Sequence, residues 1–193
     1  SFYGECRDDE MSDYWFDRGF TEETMAAFDV RYHGGPGVPY IIWPVRDRDG
    51  NTLGFVRRAV VDTPRKYMYP KGFERALFPL DHFEGGEAVL VEGPLDAMWL
   101  HQNGHRGGLA MLGAGVTARQ EAWLRGNVTK VTLALDNDAE GRRGTALLVA
   151  RLRHFDLWVA EVPPPAKDVQ DLAPADLENV LRSARRAAQL TIR

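Results

Sequence analysis

Short apolar runs alternate with amphipathic stretches through the second half of the chain. The runs are AVLVE (88–92), GLAML (108–112), VTKVTLAL (128–135) and LWVAEV (157–162). Their length and β-branched content are typical of buried strands rather than helices. Helix signals lie between them, and Pro94 and Gly104 bracket the first helix. This alternation predicts a parallel sheet with helices packed on its faces.

Helix-capping patterns support the same interpretation. Thr117 is followed three residues later by Gln120, which predicts a capping box at the start of a helix. Asp138 is placed to cap the next helix. A last helix is expected over roughly 174–189.

The first half predicts a smaller α+β unit. SDYWFDRG (12–19) and TEETMAAFDV (21–30) have the pattern of two short helices, the second opened by Thr21. Two β-rich runs, 38–47 and 51–61, flank an Asp-Gly turn and predict a hairpin. A seam near FEGGEA (83–88) predicts two domains, 1–85 and 86–193.

Composition bounds the class of protein. The chain has 193 residues, 44% of them apolar, which is enough for a sizeable core. No apolar run approaches the roughly 18 residues of a membrane span, and no signal peptide opens the chain, so a cytoplasmic protein is expected. The single cysteine, Cys6, excludes a disulfide framework and a cysteine zinc site within the chain. The histidines show no metal-ligand spacing, and His101 and His105 are expected on an exposed helix end.

Charge is unevenly distributed, although the formal net charge of −4 gives no global signal for nucleic acid. Cations gather in one segment and acids in several short ones. The cations are Arg57, Arg58, Arg65, Lys66 and Lys71, and the acids are Glu92, Asp96, Asp136, Asp138, Glu140, Asp168 and Asp171. A basic segment with an acidic cluster suits a polyanion if metal ions bridge the acidic side. Solvated surface charge is the alternative.

The polar residues follow the predicted strands at the point where each strand ends. Glu92 ends the first, Gly113–Gly115 follow the second, Asp136 and Asp138 follow the third, and Lys167 and Asp168 follow the fourth. Ligands of parallel sheets gather outside this edge. Two carboxylates one residue apart repel each other unless a divalent ion lies between them, and Mg²⁺ prefers such oxygen ligands. In the alternative interpretation, Asp138 only caps a helix and Asp136 is solvated.

The remaining acids have two interpretations as well. Glu92 at the end of a buried strand is costly unless it is paired or bound to metal. Asp96 either supports that site or is a first-turn helix charge. Asp171 and Lys167 lie in a proline-stiffened loop that suits a ligand donor or a plain linker.

Three segments resemble, in order and spacing, the motifs of the TOPRIM fold, which DnaG-type primases, type IA and II topoisomerases and some nucleases share. They are VLVEGPLDAM (89–98), LALDNDAEGRRGT (133–145) and PPAKDVQDL (164–172). LGAGVT (112–117) resembles the family's glycine loop. Segments 14–32, 40–60 and 63–83 resemble the opening helices, hairpin and T-P-K-Y loop of the primase catalytic core. The third motif departs from the family, because Gln170 holds the place of its second acid and Asp171 follows.

The resemblance implies an α/β fold, with a TOPRIM parallel-sheet domain preceded by a small α+β N-terminal subdomain. It implies a primase-type DNA-directed RNA polymerase that makes RNA primers from NTPs with Mg²⁺ or Mn²⁺. Metal would be held by Asp136, Asp138 and Asp168, and Glu92 would bind metal or orient the attacking hydroxyl. Asp96 and Asp171 would support these acids. Phosphates would be held by Arg57, Arg58, Arg65, Lys66 and Lys167, and Tyr67 would stack on a base or pack against the hairpin.

The same resemblance implies partners, and rival interpretations both within the TOPRIM family and outside it stay open. Single-stranded DNA would be the template, and a replicative helicase and a zinc-binding domain would act in cis, outside this chain, or in trans. The compact length resembles phage primase-helicase cores, and a start at Ser1 rather than Met is consistent with excision from a longer protein or with removal of a tag. The rivals are a TOPRIM nuclease or topoisomerase fragment, a non-catalytic nucleic-acid-binding TOPRIM module, and a haloacid-dehalogenase-like phosphatase. For the last, Ala139 and Glu140 fit poorly.

Overall fold

A computed structural model describes residues 13–34 and 37–189, and the chain divides into two compact units, residues 1–74 and 75–193. Residues 75–85, which the sequence assigned to the first domain, belong to the second unit. Phe78 forms an antiparallel bridge with Ala110, and the side chain of Gln120 donates to the carbonyl of Ala76. These contacts attach the segment to the second unit, and no composition shift marks them in the sequence.

Residues 13–34 and 37–74, the described part of the first unit, form two short helices and an antiparallel sheet, as the sequence predicts. Its helices are α1 (Asp13–Asp17) and α2 (Glu22–Ala27), and its strands are β1 (Arg31–His33), β2 (Tyr40–Arg46), β3 (Thr52–Ala59) and β4 (Tyr67–Met68), in the order β1-β2-β3-β4. Thr21 caps α2 by accepting from the amide of Thr24. The predicted hairpin joins β2 to β3, and Asp47 closes its turn by accepting from the amides of Asp49 and Asn51.

The second unit is built on a five-stranded sheet in the order β6-β5-β7-β8-β9. The strands are β5 (Glu87–Val91), β6 (Gly108–Ala110), β7 (Lys130–Leu133), β8 (Asp156–Val159) and β9 (Arg185–Arg186). The helices are α3 (Pro94–Gln102), α4 (Ala118–Asn127), α5 (Ala139–Arg151) and α6 (Pro174–Arg182). The first four strands are mutually parallel, which confirms the predicted α/β sheet. The predicted capping box of Thr117 and Gln120 opens α4, and Asp138 caps α5.

Two details of the second unit differ from the expectations. The last helix ends at Arg182 rather than near residue 189, because the chain turns into β9, which pairs antiparallel with β8. An ion pair between Arg185 and Glu161, 2.8 Å long, holds this edge strand. His101 is only 3% exposed, and its Nε2 lies 2.9 Å from the carbonyl oxygen of Gly108, so it is a core residue and not part of an exposed helix end.

None of the helices formed by the described residues has the length and apolar character needed to cross a bilayer. Cys6 lies outside the described residues.

Candidate active site at the carboxyl edge of the parallel sheet

Backbone hydrogen bonds bring the ends of three strands to one place. The amide of Ala134 donates to Leu90 over 2.9 Å, and so extends the pairing of β7 with β5 towards Glu92. The amide of Asn137 donates to the carbonyl of Lys167 over 2.6 Å and ties the loop after β7 to the loop after β8. The acids that follow these strands therefore share one edge of the sheet, as predicted.

Glu92 is half-buried and faces the acids of the next strand. Burial, and then the charge of Asp136, raises the pKa of the Glu92 carboxyl from 4.5 to about 7, with smaller contributions from the charges of Asp138 and Glu140. The backbone amide of Asp136 opposes this shift in part. A carboxyl with a pKa near neutrality is suited to exchange protons or to accept a cation.

Asp138 has the opposite electrostatic environment. Its Oδ1 accepts from the amides of Glu140 and Gly141, at 2.9 and 2.8 Å. The hydrogen bond from Gly141 is the largest cause of the lowered pKa of Asp138. Both bonds use Oδ1, so the helix cap and a ligand role for Oδ2 are compatible.

Gly141 is the glycine that this turn requires. A Cβ at this position would lie 2.0 Å from the carbonyl oxygen of Asp136, which is a contact with backbone and cannot be relieved by rotating a side chain. The first turn of α5 can therefore close against the strand end only when residue 141 has no side chain.

The carboxyl of Asp136 is influenced by the opposite charges of Asp168 and Lys167. Burial, followed by the charge of Asp168, raises its pKa, and Lys167 lowers it. The Nζ of Lys167 lies 3.6 Å from Oδ2 of Asp136, although the lysine side chain is 62% exposed. The carboxylates of Glu92, Asp136, Asp138 and Asp168 therefore share this edge with the largely exposed ammonium group of Lys167.

This donor set fits a divalent cation. Hard cations such as Mg²⁺ take carboxylate oxygens, and two mutually destabilised carboxyls gain most from a positive charge placed between them. Among residues 13–34 and 37–189, no three His, Cys, Asp or Glu side chains converge as a ready-made metal-ligand group. The carboxylates are thus neighbours whose closure around an ion would need side-chain rotation.

The two remaining predicted acids hold local structure. Oδ2 of Asp96 accepts from the amide of Gly93 at 3.1 Å at the start of α3, and Asp96 is only 8% exposed. Oδ2 of Asp171 accepts from the amide of Lys167 at 2.8 Å. Oδ1 of Asp168 accepts from the amides of Gln170 and Asp171, which places Asp168 at the start of a short 3₁₀ turn.

The predicted basic residues lie in the first unit, apart from Lys167. Arg58 is half-buried: its guanidinium lies 4.7 Å from the ring centre of Tyr67, and its Nε donates to the hydroxyl of Tyr14. Arg57 lies against the ring of Tyr40, at 5.3 Å. Arg65 and Lys66 are exposed in the loop before β4.

Sequence reasoning missed two residues at this edge. Arg75 is half-buried over the glycine loop after β6, where a Cβ on Gly113 would meet its Nη1 at 2.0 Å. Asn137 bridges the loops after β7 and β8, and its Oδ1 accepts from Arg142 at 3.4 Å. The asparagine between the two aspartates was the available signal for Asn137, whereas nothing in the sequence places Arg75 beside Gly113.

A cavity of about 790 Å³ borders Asp136 on the side of α5 and β8. Its polar lining includes Asn137, Arg142, Thr145 and Arg185. The volume is within the range of about 300–1,000 Å³ that is typical of small-molecule sites.

Known proteins match this chain in sequence and in fold. A family model described as Toprim-like matches residues 89–173, which include all four carboxylates of the edge. The DNA primase of Deinococcus radiodurans is 28% identical over 182 residues, a match that covers 69% of this chain and 32% of the relative. The chain thus spans about a third of the length of this curated relative.

Solved primase structures share the fold. The zinc-binding and RNA polymerase domains of the Aquifex aeolicus primase superpose with a TM-score of 0.75 at 22% identity, over 90% of this chain and 55% of that one. A DnaG primase catalytic domain bound to ssDNA has a TM-score of 0.74 at 20% identity, over 91% and 72%. Residues 89–173 are therefore a TOPRIM-like domain, and the chain as a whole has the fold of the catalytic core of DnaG-type primases.

Proposed function

We propose that this chain is the catalytic core of a DNA primase, which copies single-stranded DNA into short RNA primers. One observation carries the proposal: carboxylates from three strand ends, Glu92, Asp136 with Asp138, and Asp168, share one edge of a sheet that has the DnaG core fold. The primase names and the ssDNA complex of similar proteins support the substrate class.

In this proposal the carboxylates hold Mg²⁺ or Mn²⁺ together with the triphosphate of the incoming nucleotide. Asp136, Asp138 and Asp168 would be the ligands, and the bound ions would supply charge neutralisation and alignment of the attacking and leaving oxygens. Lys167 lies close enough to Asp136 to move from that carboxylate to a phosphate oxygen. Arg75 adds a second cation at the same edge.

Glu92 has the proton-transfer role. The 3′-hydroxyl of one nucleotide attacks the α-phosphate of the next, a new O–P bond forms and pyrophosphate leaves. Burial and the neighbouring carboxylates raise the pKa of the Glu92 carboxyl to about 7 in the absence of metal, and the ionised carboxylate would accept the hydroxyl proton as the bond forms. Glu92 would also orient that hydroxyl, or share in metal binding.

The first unit supplies the template surface. Arg57, Arg65 and Lys66 are placed to contact phosphates, because phosphate contacts fix a strand in position without reading its sequence. The guanidinium of Arg58 contacts the hydroxyl of Tyr14 and the ring of Tyr67. Its role would be to stabilise the sheet of the first unit, and its positive charge would add to the electrostatic attraction of the template.

Further partners are part of the proposal. The relatives are longer than this chain, and the Aquifex aeolicus structure includes a zinc-binding domain. We expect a zinc-binding domain and a replicative helicase to act with this core at a replication fork, in cis or in trans.

Primer synthesis on an oligonucleotide template with labelled NTPs and Mg²⁺ or Mn²⁺ tests the proposal. Wild type is expected to give short RNA products, and Asp136→Asn with Asp138→Asn is expected to give none. Full activity of that variant would refute the assigned site. Cleavage of labelled DNA without NTPs, in place of synthesis, would instead favour a TOPRIM nuclease.

A further inference from the structure

The loop after β4 carries a pair of stacked aromatic rings at the surface. The ring centroids of Tyr69 and Phe73 are 5.7 Å apart and their planes differ by 15°, which is an offset stack. Tyr69 is 37% exposed. A ring exposed to this extent presents part of its surface to solvent.

The backbone of the sheet is shaped to hold this pair. A Cβ at Gly54 of β3 would lie 2.8 Å from Cδ2 of Phe73, so the ring rests where only a glycine leaves room. The amide of Phe73 donates to the carbonyl of Pro70 over 3.1 Å, and Gly72 has φ +76°, as the third position of a type II turn requires. Phe73 is thereby fixed, and it fixes the plane of Tyr69.

The positive charge of the segment that carries the aromatic pair indicates which class of ligand the pair would bind. Lys71 lies at the tip of the same turn, and between residues 57 and 73 the chain has five Arg or Lys residues and one acid, Asp62. The whole chain has a net charge of −4, so the excess of positive charge in this segment is local. Exposed aromatic rings within a cationic surface are suited to single-stranded nucleic acid, whose bases stack while its phosphates pair with the cations.

Tyr67 is less suited to that task. Arg58 lies over its ring at 4.7 Å, and the side chain is half-buried. A base stacked on this face would have to displace the guanidinium of Arg58, which also donates a hydrogen bond to the hydroxyl of Tyr14.

We infer that the Tyr69–Phe73 pair is a base-stacking platform for single-stranded DNA, with Lys71 contacting an adjacent phosphate. The inference deepens the proposed primase function and rests on it for the identity of the strand. The prestacked ring loses little rotamer freedom on binding, and this pre-organisation favours affinity.

Anisotropy of a labelled oligothymidylate of about 12 nucleotides, in EDTA and without NTPs, measures the strand affinity. Tyr69→Ala is expected to weaken binding by about five- to a hundredfold, and Tyr69→Trp to retain it. Gly54→Ala is expected to weaken binding without removing a ring, because its methyl group displaces Phe73. Phe16→Ala is the matched control, since Phe16 is an exposed aromatic of the same unit, at 43%, and affinity should not change.

An abasic oligonucleotide of equal length separates stacking from charge. Tyr69→Ala should bind it as wild type does, whereas Lys71→Ala should weaken both oligonucleotides and lower the salt slope by about 0.7. An unchanged affinity of Tyr69→Ala for oligothymidylate, or an equal loss on the abasic strand, would overturn the inference. Tyr69→Leu keeps apolar packing and gives the same test if the alanine variant does not fold.

The binding assay tests the stacking platform independently of the proposed catalytic activity. Asp136→Asn is expected to bind oligothymidylate as wild type does, because the assay contains neither metal nor NTPs. Protein that makes no primers but shows Tyr69-dependent binding would contradict the primase proposal and support the platform. Protein that makes primers but binds the oligonucleotide independently of Tyr69 would contradict the platform alone.

Discussion

The ammonium group of Lys167 lies 3.6 Å from Oδ2 of Asp136, a carboxylate of the acidic edge of the sheet. A cation in this position competes with a metal ion for the same carboxylate while it attracts phosphate. Loss of the ammonium group should therefore strengthen the binding of a metal ion and weaken the binding of a nucleotide, so the two effects can be separated by experiment.

Lys167→Met is predicted to tighten Mn²⁺ binding in the absence of nucleotide and to raise the KM for NTPs. Each change is expected to be about fivefold, as for roughly 1 kcal/mol from one solvent-exposed charge. Mn²⁺ titration and steady-state primer synthesis measure the two effects. Lys130→Met is the control, because Lys130 pairs with Glu87 at the opposite edge of the sheet. Weaker Mn²⁺ binding by Lys167→Met would contradict the competition.

Glu92 makes a pH-dependent contribution to stability. Its pKa is about 7 in the folded protein against 4.5 for an ordinary carboxyl, so the unfolded chain releases the proton first as pH rises. The free energy of unfolding therefore falls between about pH 4.5 and 7 because of this group, and its contribution is constant above that range.

Glu92→Gln is predicted to be more stable than wild type at pH 8 in EDTA. Allowing for solvent screening, the difference is expected to be about 1–2 kcal/mol and to vanish near pH 4.5. Urea unfolding across this pH range measures it. A stability difference that does not change with pH would show that the burial and repulsion inferred for Glu92 are absent.

Two glycines of α5 give a matched pair. Gly141→Ala is predicted to lower the free energy of unfolding by about 2–4 kcal/mol, because the methyl group meets the carbonyl of Asp136. Gly144→Ala in the same helix meets only Leu135, at 3.5 Å. It is predicted to be neutral or to stabilise by up to about 1 kcal/mol, as for glycine within a helix. Equal effects of the two substitutions in urea unfolding would contradict the close approach at Gly141.

Substitutions of Asp168 and Asp171 distinguish a metal ligand from a carboxylate that only holds the loop in place. Asp171→Asn is predicted to keep Mn²⁺ affinity within about twofold, because its carboxylate is bonded to the amide of Lys167 and that bond needs only an acceptor oxygen. Asp168→Asn is predicted to weaken Mn²⁺ binding by about tenfold or more. Titration of both variants with Mn²⁺ decides the matter, and the reverse order of affinities would exchange the two assignments.

Much of this arrangement could be predicted from the sequence because it depends on local patterns. The strand periodicity located β5, β7 and β8, the capping residues Thr117 and Asp138 marked helix starts, and strand order along the chain placed the acids on one edge. The TOPRIM motifs then agreed with the pattern, and the Toprim-like match and the shared fold confirmed that resemblance.

The features that sequence reasoning missed depend on contacts between distant residues. The strand β9 is two residues long and is held by pairing with β8, which no local pattern encodes. His101 is buried because a carbonyl seven residues later reaches its ring. The segment 75–85 joins the second unit through Phe78 and Ala76, whose partners Ala110 and Gln120 are far along the chain.

Divalent-ion binding by carboxylates from separate strands is the central claim, and Mn²⁺ titration followed by electron paramagnetic resonance tests it most directly. Wild type is predicted to bind Mn²⁺, and Glu92→Gln, Asp136→Asn and Asp168→Asn are each predicted to weaken binding by about tenfold or more. Asp156→Asn, at the opposite edge and paired with Arg186 at 3.2 Å, is predicted to bind as wild type does. Wild-type protein that binds no Mn²⁺, or affinity that is indifferent to all three substitutions, would contradict the account.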